Sequence, residues 1–159
     1  ENPGKLFPIE EHCEIDDLEI LRKIPRTHLA EVSRFCVSKE FKRRKKELGT
    51  LTGIGPDNTE SYTENERRTF PHITIALIAC LVRMSYGSQI THWYAVMEPA
   101  LLRFLSTLGI NFANIGPITD YHGNRQPCVI KIKNLLDGVE QKNISLWEMI
   151  SNNGEFNNF

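Results

Sequence analysis

The sequence lacks the features by which several classes of protein are first recognised. Its 159 residues include only four cysteines, which show neither the paired spacing of a zinc site nor the density of a disulfide-stabilised domain. We therefore expect reduced, buried thiols in a cytoplasmic protein. The five histidines lack metal-ligand spacing as well, and no metal site is expected.

Neither charge nor hydrophobicity is present in large excess. The formal net charge is -1 and the basic residues are clustered, which argues against a general nucleic-acid binder. The longest apolar run, residues 73–82 with one threonine, is too short to span a bilayer, and no signal peptide is expected. With 40% hydrophobic residues, residues 1–159 fit a single domain with a real core.

The most informative stretch is a short apolar segment that carries two charges. Residues 29–37 are rich in Val and Phe, which predicts a buried β-strand. Glu31 and Arg34 lie inside it, and burying such groups is costly unless they are paired or functional. Three positions apart on a strand, they point to opposite faces and cannot easily pair with each other.

A basic cluster follows this strand directly and consists of Lys39, Lys42, Arg43, Arg44, Lys45 and Lys46. A charged strand that ends in a basic turn indicates a site for an anionic ligand. Two simpler interpretations stay open at this point. The strand charges can be structural ion pairs, and the cluster can be a solvated face.

A long polar stretch and a long apolar helix come next. Residues 48–69 are rich in Gly, Thr, Ser and Glu, which predicts a flexible flap. A helix is expected over residues 71–86, because Pro71 suits the first helical position and Gly87 the position just past the end. The stripe expected to face the core consists of Ile73, Ala76, Leu77, Cys80, Leu81 and Met84, extended around the helix by Ile75, Ile78 and Val82.

Residues 90–132 are predicted to form a further strand, a helix and a hairpin. A strand over residues 90–97 precedes a helix over 99–108 that Gly109 ends. The strands over 29–37 and 90–97 are thus separated by the helix over 71–86, and this strand–helix–strand order implies a parallel strand pair. Strands over 110–121 and 126–132 are expected to flank a hairpin turn, with an interruption at Gly116-Pro117.

The termini give weaker patterns. Residues 6–9 are read as a strand end, and residues 14–24 as a short amphipathic helix that Pro25 stops. Near the other end, a helix is expected over 133–142, followed by a helix whose capping box begins at Ser145. The Asn-rich residues 151–159 are expected to be frayed.

Seven short motifs occur in order between Glu31 and Pro127. They are E-V-S-R-F at 31–35, the basic cluster, F-P-H-I at 70–73, W-Y-A-V-M-E-P at 93–99, L-G-I-N-F at 108–112, I-G-P at 115–117 and D-Y-H-G-N-R-Q-P at 120–127. Together they resemble the PEP-CTERM/exosortase system-associated acyltransferases, which are related to the autoinducer (acyl-homoserine-lactone) synthases. The resemblance implies a GNAT-like α/β fold, with a mixed sheet splayed between central parallel strands at 29–37 and 90–97. The N-terminal half of that fold is apparently absent.

The resemblance also implies positions for catalysis and donor binding. The Glu-x-x-Arg of autoinducer synthases maps onto Glu31 and Arg34, which become the expected catalytic residues. The donor thioester would lie in the splay, and its phosphates would meet the following turn and the start of the next helix. The expected donor-binding residues are Cys36, Val37, Lys42, Arg43, Arg44, Phe70 and His72.

The turn itself departs from ordinary GNAT acetyltransferases, because residues 38–44 contain no glycine. Such a turn would bind phosphates through Lys and Arg side chains. This fits an acyl-carrier-protein donor at least as well as coenzyme A.

The expected function is transfer of a fatty acyl group from an acyl-carrier-protein or CoA thioester to a small amine. Glu31 would accept the amine's proton, and backbone amides near Cys36 would polarise the carbonyl. The alternatives are an autoinducer synthase that uses S-adenosylmethionine and a non-catalytic acyl-carrier-binding module. We also expect residues 1–24, or a second copy of the chain in a homodimer, to cover the outer side of the first strand.

Overall fold

The computed structural model describes residues 6–16, 21–35 and 64–159, and in the last range it describes side chains from residue 73 onwards. The elements in chain order are α1 (Pro8–His12), a 3₁₀ turn (Arg26–His28), β1 (Leu29–Glu31), α2 (Glu64–Gly87), β2 (His92–Met97), α3 (Pro99–Thr107), β3 (Ala113–Asn114), β4 (Thr119–Asp120), β5 (Asn124–Lys131), α4 (Ile132–Lys142) and α5 (Ile144–Ser151).

The strands form a mixed sheet in the order β1–β2–β5–β3, and β4 also pairs with β5. β1 and β2 are parallel, with Leu29 opposite His92 and Glu31 opposite Tyr94. β5 is antiparallel to β2 along all of β2, and also to β3 and β4. The predicted α/β class and the predicted parallel strand pair are therefore confirmed.

Strand β1 is shorter than the strand predicted over residues 29–37. Its pairing ends where the N–H of Val32 donates to the carbonyl of Tyr94 at 2.8 Å, and residues 32–35 form no strand. Arg34 has a φ of 55°, a left-handed conformation that an extended strand cannot contain. Cys36 and Val37 lie outside the described residues.

One face of the sheet packs against α2, α3, α4 and α5. Trp93 and Ile130 lie opposite each other in the sheet and project to this face. The indole N–H of Trp93 donates to the Ser85 hydroxyl of α2 at 2.8 Å, which satisfies both polar groups in the core. The helices contribute the buried residues Ile75, Ile78, Val82, Leu101, Leu105, Leu135, Leu136, Val139, Leu146 and Ile150.

The opposite face is covered by residues from the N-terminal part of the chain. Ile9 and Leu21 pack there against Leu29, Tyr94 and Val129 of the sheet. The described residues before β1 thus cover an apolar face of this strand, although they add no strand to its edge.

The same N-terminal segment reaches the connection between β3 and β4. The N–H of Asp16 donates to the carbonyl of Ile115 at 2.9 Å. A Cβ at Gly116 would lie 2.0 Å from the carbonyl oxygen of Glu14, so only glycine permits this approach. The predicted interruption at Gly116-Pro117 therefore coincides with a docking point for the N-terminal segment.

Two helix boundaries differ from the sequence predictions. Residues 8–12 form helix α1 rather than a strand end, with Pro8 at its first position, where the missing N–H has no cost. Helix α2 begins at Glu64, not at Pro71, so residues 64–69 of the predicted flap are helical. Acidic residues such as Glu64 and Glu66 favour a helix N-terminus. Residues 48–63 of the flap lie outside the described part of the chain.

Helix α2 also faces the core differently from the prediction. Its buried residues include Thr74, Ile78 and Ser85, whereas Met84 of the predicted stripe is 67% exposed and Cys80 is exposed. The helix is apolar on most sides, so apolar spacing alone could not fix its orientation.

The predicted hairpin and the helix of residues 133–142 are confirmed, but the C-terminal details are not. Asn143, rather than Ser145, caps α5, because its side-chain oxygen accepts the N–H of Leu146 at 3.1 Å. Residues 151–159 were expected to fray, yet Phe156 is buried against the helical core. Its ring also lies 5.1 Å from the ring of Tyr86.

Candidate functional site

Glu31 ends strand β1 on the face that the N-terminal segment covers. Its carboxylate oxygen Oε2 accepts the N–H of Ile9 at 3.0 Å. This N–H belongs to the first turn of α1, where helical N–H groups have no partner within the helix. The predicted catalytic carboxylate therefore has a structural partner.

The environment of Glu31 favours its protonated form. Burial raises the pKa of the Glu31 carboxyl above its usual range, the hydrogen bond from Ile9 opposes this shift, and the nearby charge of Glu10 adds to it. A carboxylate with a raised pKa suits proton transfer near neutral pH.

Charged and aromatic contacts hold α1 beside Glu31. The Arg26 guanidinium donates to both carboxylate oxygens of Glu10, at 2.6 and 2.8 Å. It also lies 4.4 Å from the centre of the Phe7 ring, a cation–π distance. The Phe7 ring in turn meets Tyr94 edge-on at 5.8 Å.

A thiol and an imidazole lie near the same carboxylate. Burial raises the pKa of Cys13, and the charge of Glu31 raises it further, so this thiol is not activated as a nucleophile. The His12 ring stacks on Tyr121 with the ring centres 5.4 Å apart. The charge of His12 lowers the pKa of Glu31. The site can thus accept a proton at Glu31, and a reaction there relies on an external nucleophile.

The structure separates Arg34 from this buried environment. Arg34 lies beyond the end of β1 and is exposed. The expectation that it is buried inside a strand is therefore wrong. Its catalytic role remains a prediction.

The residues expected to bind the donor are only partly described. Cys36, Val37, Lys42, Arg43 and Arg44 lie outside the described ranges. Phe70 and His72 lie inside helix α2, which begins at Glu64. They were expected at the start of this helix, and that expectation is wrong. The N–H groups without a helical partner belong to the first turn, several residues earlier.

Strands β1 and β2 part beside Glu31. β2 continues through residues 95–97 with β5 on one side, while its pairing with β1 ends at Tyr94. Alternate residues of a strand direct their main-chain groups to the same edge, so Val96 presents its N–H and carbonyl to the edge that β1 has left. Opposite Val96 on the other side stands Pro127, which has no N–H to donate.

Comparison of the chain with protein-family models, curated proteins and solved structures found no match. Of the helices in the described part of the chain, none combines the length and apolar character needed to cross a membrane. Within the same residues, no three His, Cys, Asp or Glu side chains are grouped as ligands for a metal ion.

Sequence reasoning found Glu31 but missed the groups around it. The missed residues are Phe7, Ile9, Glu10, His12, Cys13, Arg26 and Tyr94. The sequence contains one signal for helix α1, which carries several of these residues. Pro8 followed two residues later by Glu10 is typical of a helix start. The contacts of Arg26 and Tyr94 depend on how the chain returns over the sheet, and no local pattern encodes that.

Proposed function

We propose that the chain is a GNAT-like acyltransferase domain that moves a fatty acyl group from an acyl-carrier-protein or CoA thioester to a small amine. The observation that supports this most is the parting of β1 and β2 beside Glu31. No described strand pairs with this edge of β2 at Val96, where one N–H and one carbonyl could bond to an extended ligand. The phosphopantetheine arm of an acyl thioester contains amides and can pair with such an edge as an added strand does.

In the proposed reaction the amine nitrogen attacks the thioester carbon directly. A carbon–nitrogen bond forms, the carbon–sulfur bond breaks, and the carrier leaves as a thiol. Glu31 accepts the proton that the amine loses, directly or through a water molecule. Backbone amides near Cys36 polarise the carbonyl, and Lys42, Arg43 and Arg44 bind the donor's phosphates or an acidic carrier protein. The proposed setting is the cytoplasm, which the cysteine pattern favoured.

The test is incubation of the chain with acyl carriers of several chain lengths and a pool of primary amines. We expect release of carrier thiol that depends on the added amine, together with an amide product in the mass spectrum. Thiol release that is the same with and without every amine would exclude the transferase reaction.

A second candidate, a non-catalytic acyl-carrier-binding module, is favoured by the hydrogen bond between Glu31 and Ile9. A carboxylate that caps a helix can be retained for stability alone. This candidate predicts that the chain binds the acyl carrier and returns it unchanged. Recovery of intact acyl carrier from a stable complex, in the presence of amines, would decide in its favour.

A further inference from the structure

A groove separate from the Glu31 site lies between helix α3 and the chain that follows it. Its volume is about 310 Å³. Leu102 and Arg103 of α3 form one wall, and Phe112 and Ile118 belong to the other. Ile118 is 56% exposed, so it offers apolar surface that a ligand in the groove can contact.

One polar side chain that lines the groove, Gln126, is held in a fixed orientation. Gln126 is 8% exposed and contributes to the lining. Its amide nitrogen donates to the carbonyls of Gly116 and Pro127, at 2.7 and 3.2 Å. Because both partners are acceptors, the nitrogen must face them and the oxygen Oε1 must point the other way.

This oxygen accepts no hydrogen bond from any residue that the structure describes. In the described part of the chain, two fully buried polar side-chain atoms have no hydrogen-bond partner, Trp147 Nε1 and Asn157 Oδ1. Gln126 Oε1 is not one of them, so it keeps some accessible surface on a residue that lines the groove. A buried amide with an unused acceptor is well placed to receive an N–H or O–H of a ligand.

The remaining polar groups define the charge that the groove favours. Arg103 is exposed on the wall of the groove and provides a guanidinium, which binds carboxylates with two parallel hydrogen bonds. Ser106 and Asn111 satisfy each other, since the Ser106 hydroxyl donates to the Asn111 side-chain oxygen at 2.7 Å. Asn114 adds an exposed side-chain amide to the lining. The groove thus combines one cation, amide groups that can accept or donate, and an apolar wall.

We propose that this groove binds a small apolar carboxylate that also carries an amide N–H. The carboxylate pairs with Arg103, the N–H donates to Gln126 Oε1, and the apolar part lies against Leu102, Phe112 and Ile118. The proposal does not depend on acyl transfer at Glu31. Loss of either function leaves the other intact.

N-acetyl-leucine is the probe for a titration followed by ¹H–¹⁵N correlation spectra of the whole chain. We expect saturable shifts of the Gln126 side-chain amide and of the backbone amides of Ser106 and Asn111. Three analogues each remove one feature: N-acetyl-leucinamide lacks the carboxylate, N-acetyl-N-methyl-leucine lacks the N–H, and N-acetylglycine lacks the apolar side chain. Each analogue should bind more weakly than N-acetyl-leucine. For N-acetyl-leucinamide, which loses one exposed charge contact, we expect Kd to rise about fivefold.

Arg103→Gln should weaken binding of N-acetyl-leucine by a similar factor. The variant should then bind N-acetyl-leucine and N-acetyl-leucinamide with equal affinity. Arg83→Gln is the matched control, because Arg83 is exposed on α2 outside the groove. Both arginines are at the surface, so the spectra should report folded protein in each case. Absence of saturable shifts, equal binding of the analogues, or equal effects of the two substitutions would each overturn the proposal.

Discussion

Gly109 and Gly138 pack backbone against backbone, and a Cβ on either residue would lie 2.2 Å from the carbonyl oxygen of the other. Gly109 follows helix α3 with a φ of 90°, where L-residues are strained. Gly138 lies in the middle of helix α4, where glycine is otherwise unfavourable. The contact therefore requires glycine at a position that helix propensity disfavours.

Gly138→Ala should destabilise the chain although alanine is the better helix former. The gain in helix propensity is about 1 kcal/mol, but both contacting atoms belong to backbone and cannot rotate away. A clash between backbone atoms lies at the upper end of the about 1–3 kcal/mol that overpacking costs. We therefore expect a net loss of about 2 kcal/mol in the free energy of unfolding, measured with urea. Gly87→Ala is the control, because no atom lies within 4 Å of a Cβ there. Equal stability of the Gly138 and Gly87 variants would contradict the contact.

Glu31→Gln should change how stability depends on pH. The pKa of Glu31 is raised in the folded chain above 4.5, so the folded state holds this proton more tightly than the unfolded state. Its contribution to stability is complete below pH 4.5 and is lost as the pH rises through the folded pKa. Glutamine keeps an acceptor for the Ile9 N–H but cannot ionise.

The measurement for this substitution is the difference in unfolding free energy between parent and variant across the acidic range. The parent should lose stability relative to Glu31→Gln as the pH rises. Glu140→Gln, an exposed substitution on α4, controls for net charge. A difference that is constant with pH would show that Glu31 titrates alike in both states.

The same substitution tests the proposed chemistry through turnover. If Glu31 accepts the amine's proton, Glu31→Gln should reduce turnover by about 10²- to 10⁴-fold. Donor affinity should be nearly unchanged, and the defect should shrink at alkaline pH, where more amine is already deprotonated. A folded Gln variant with parental turnover at neutral pH would leave Glu31 with only its capping role.

Reversing the charge of Arg43 and Arg44 tests the predicted donor contact. Substitution of both by Glu should raise KM for the acyl donor and reduce the salt dependence of KM, because an attractive ionic contact is removed. The matched control reverses the exposed pair Arg22 and Lys23. If both double variants have parental donor kinetics, the basic cluster is a solvated surface.

Sequence reasoning succeeded where one local signal matched one structural requirement. Pro99 and Gly109 delimit helix α3 closely, because a fixed φ suits its start and a positive φ suits the position after its end. The alternation of strands and a long helix was enough to predict the parallel pair of β1 and β2. The helix ends depend on nearby residues only, and the parallel pair follows from the order of the elements.

It failed where distant parts of the chain decide the outcome. Ser85 lies on the buried face of α2 because it accepts the indole N–H of Trp93, and no apolar pattern contains that information. Glu31 is the clearest case at the candidate site. Its partner, the N–H of Ile9, could be identified only once α1 was placed over the sheet.

The docking of residues 14–16 onto the connection between β3 and β4 has a consequence for the order of folding. Asp16 bonds to Ile115, and Glu14 contacts Gly116, so these contacts close a loop that contains most of the chain. Such long-range contacts are slow to form because loop closure costs entropy before they contribute. During synthesis, residues 14–16 leave the ribosome well before residues 115 and 116 exist. We therefore expect residues 14–16 to complete their docking late in folding, after the sheet that contains β3 and β5 has formed.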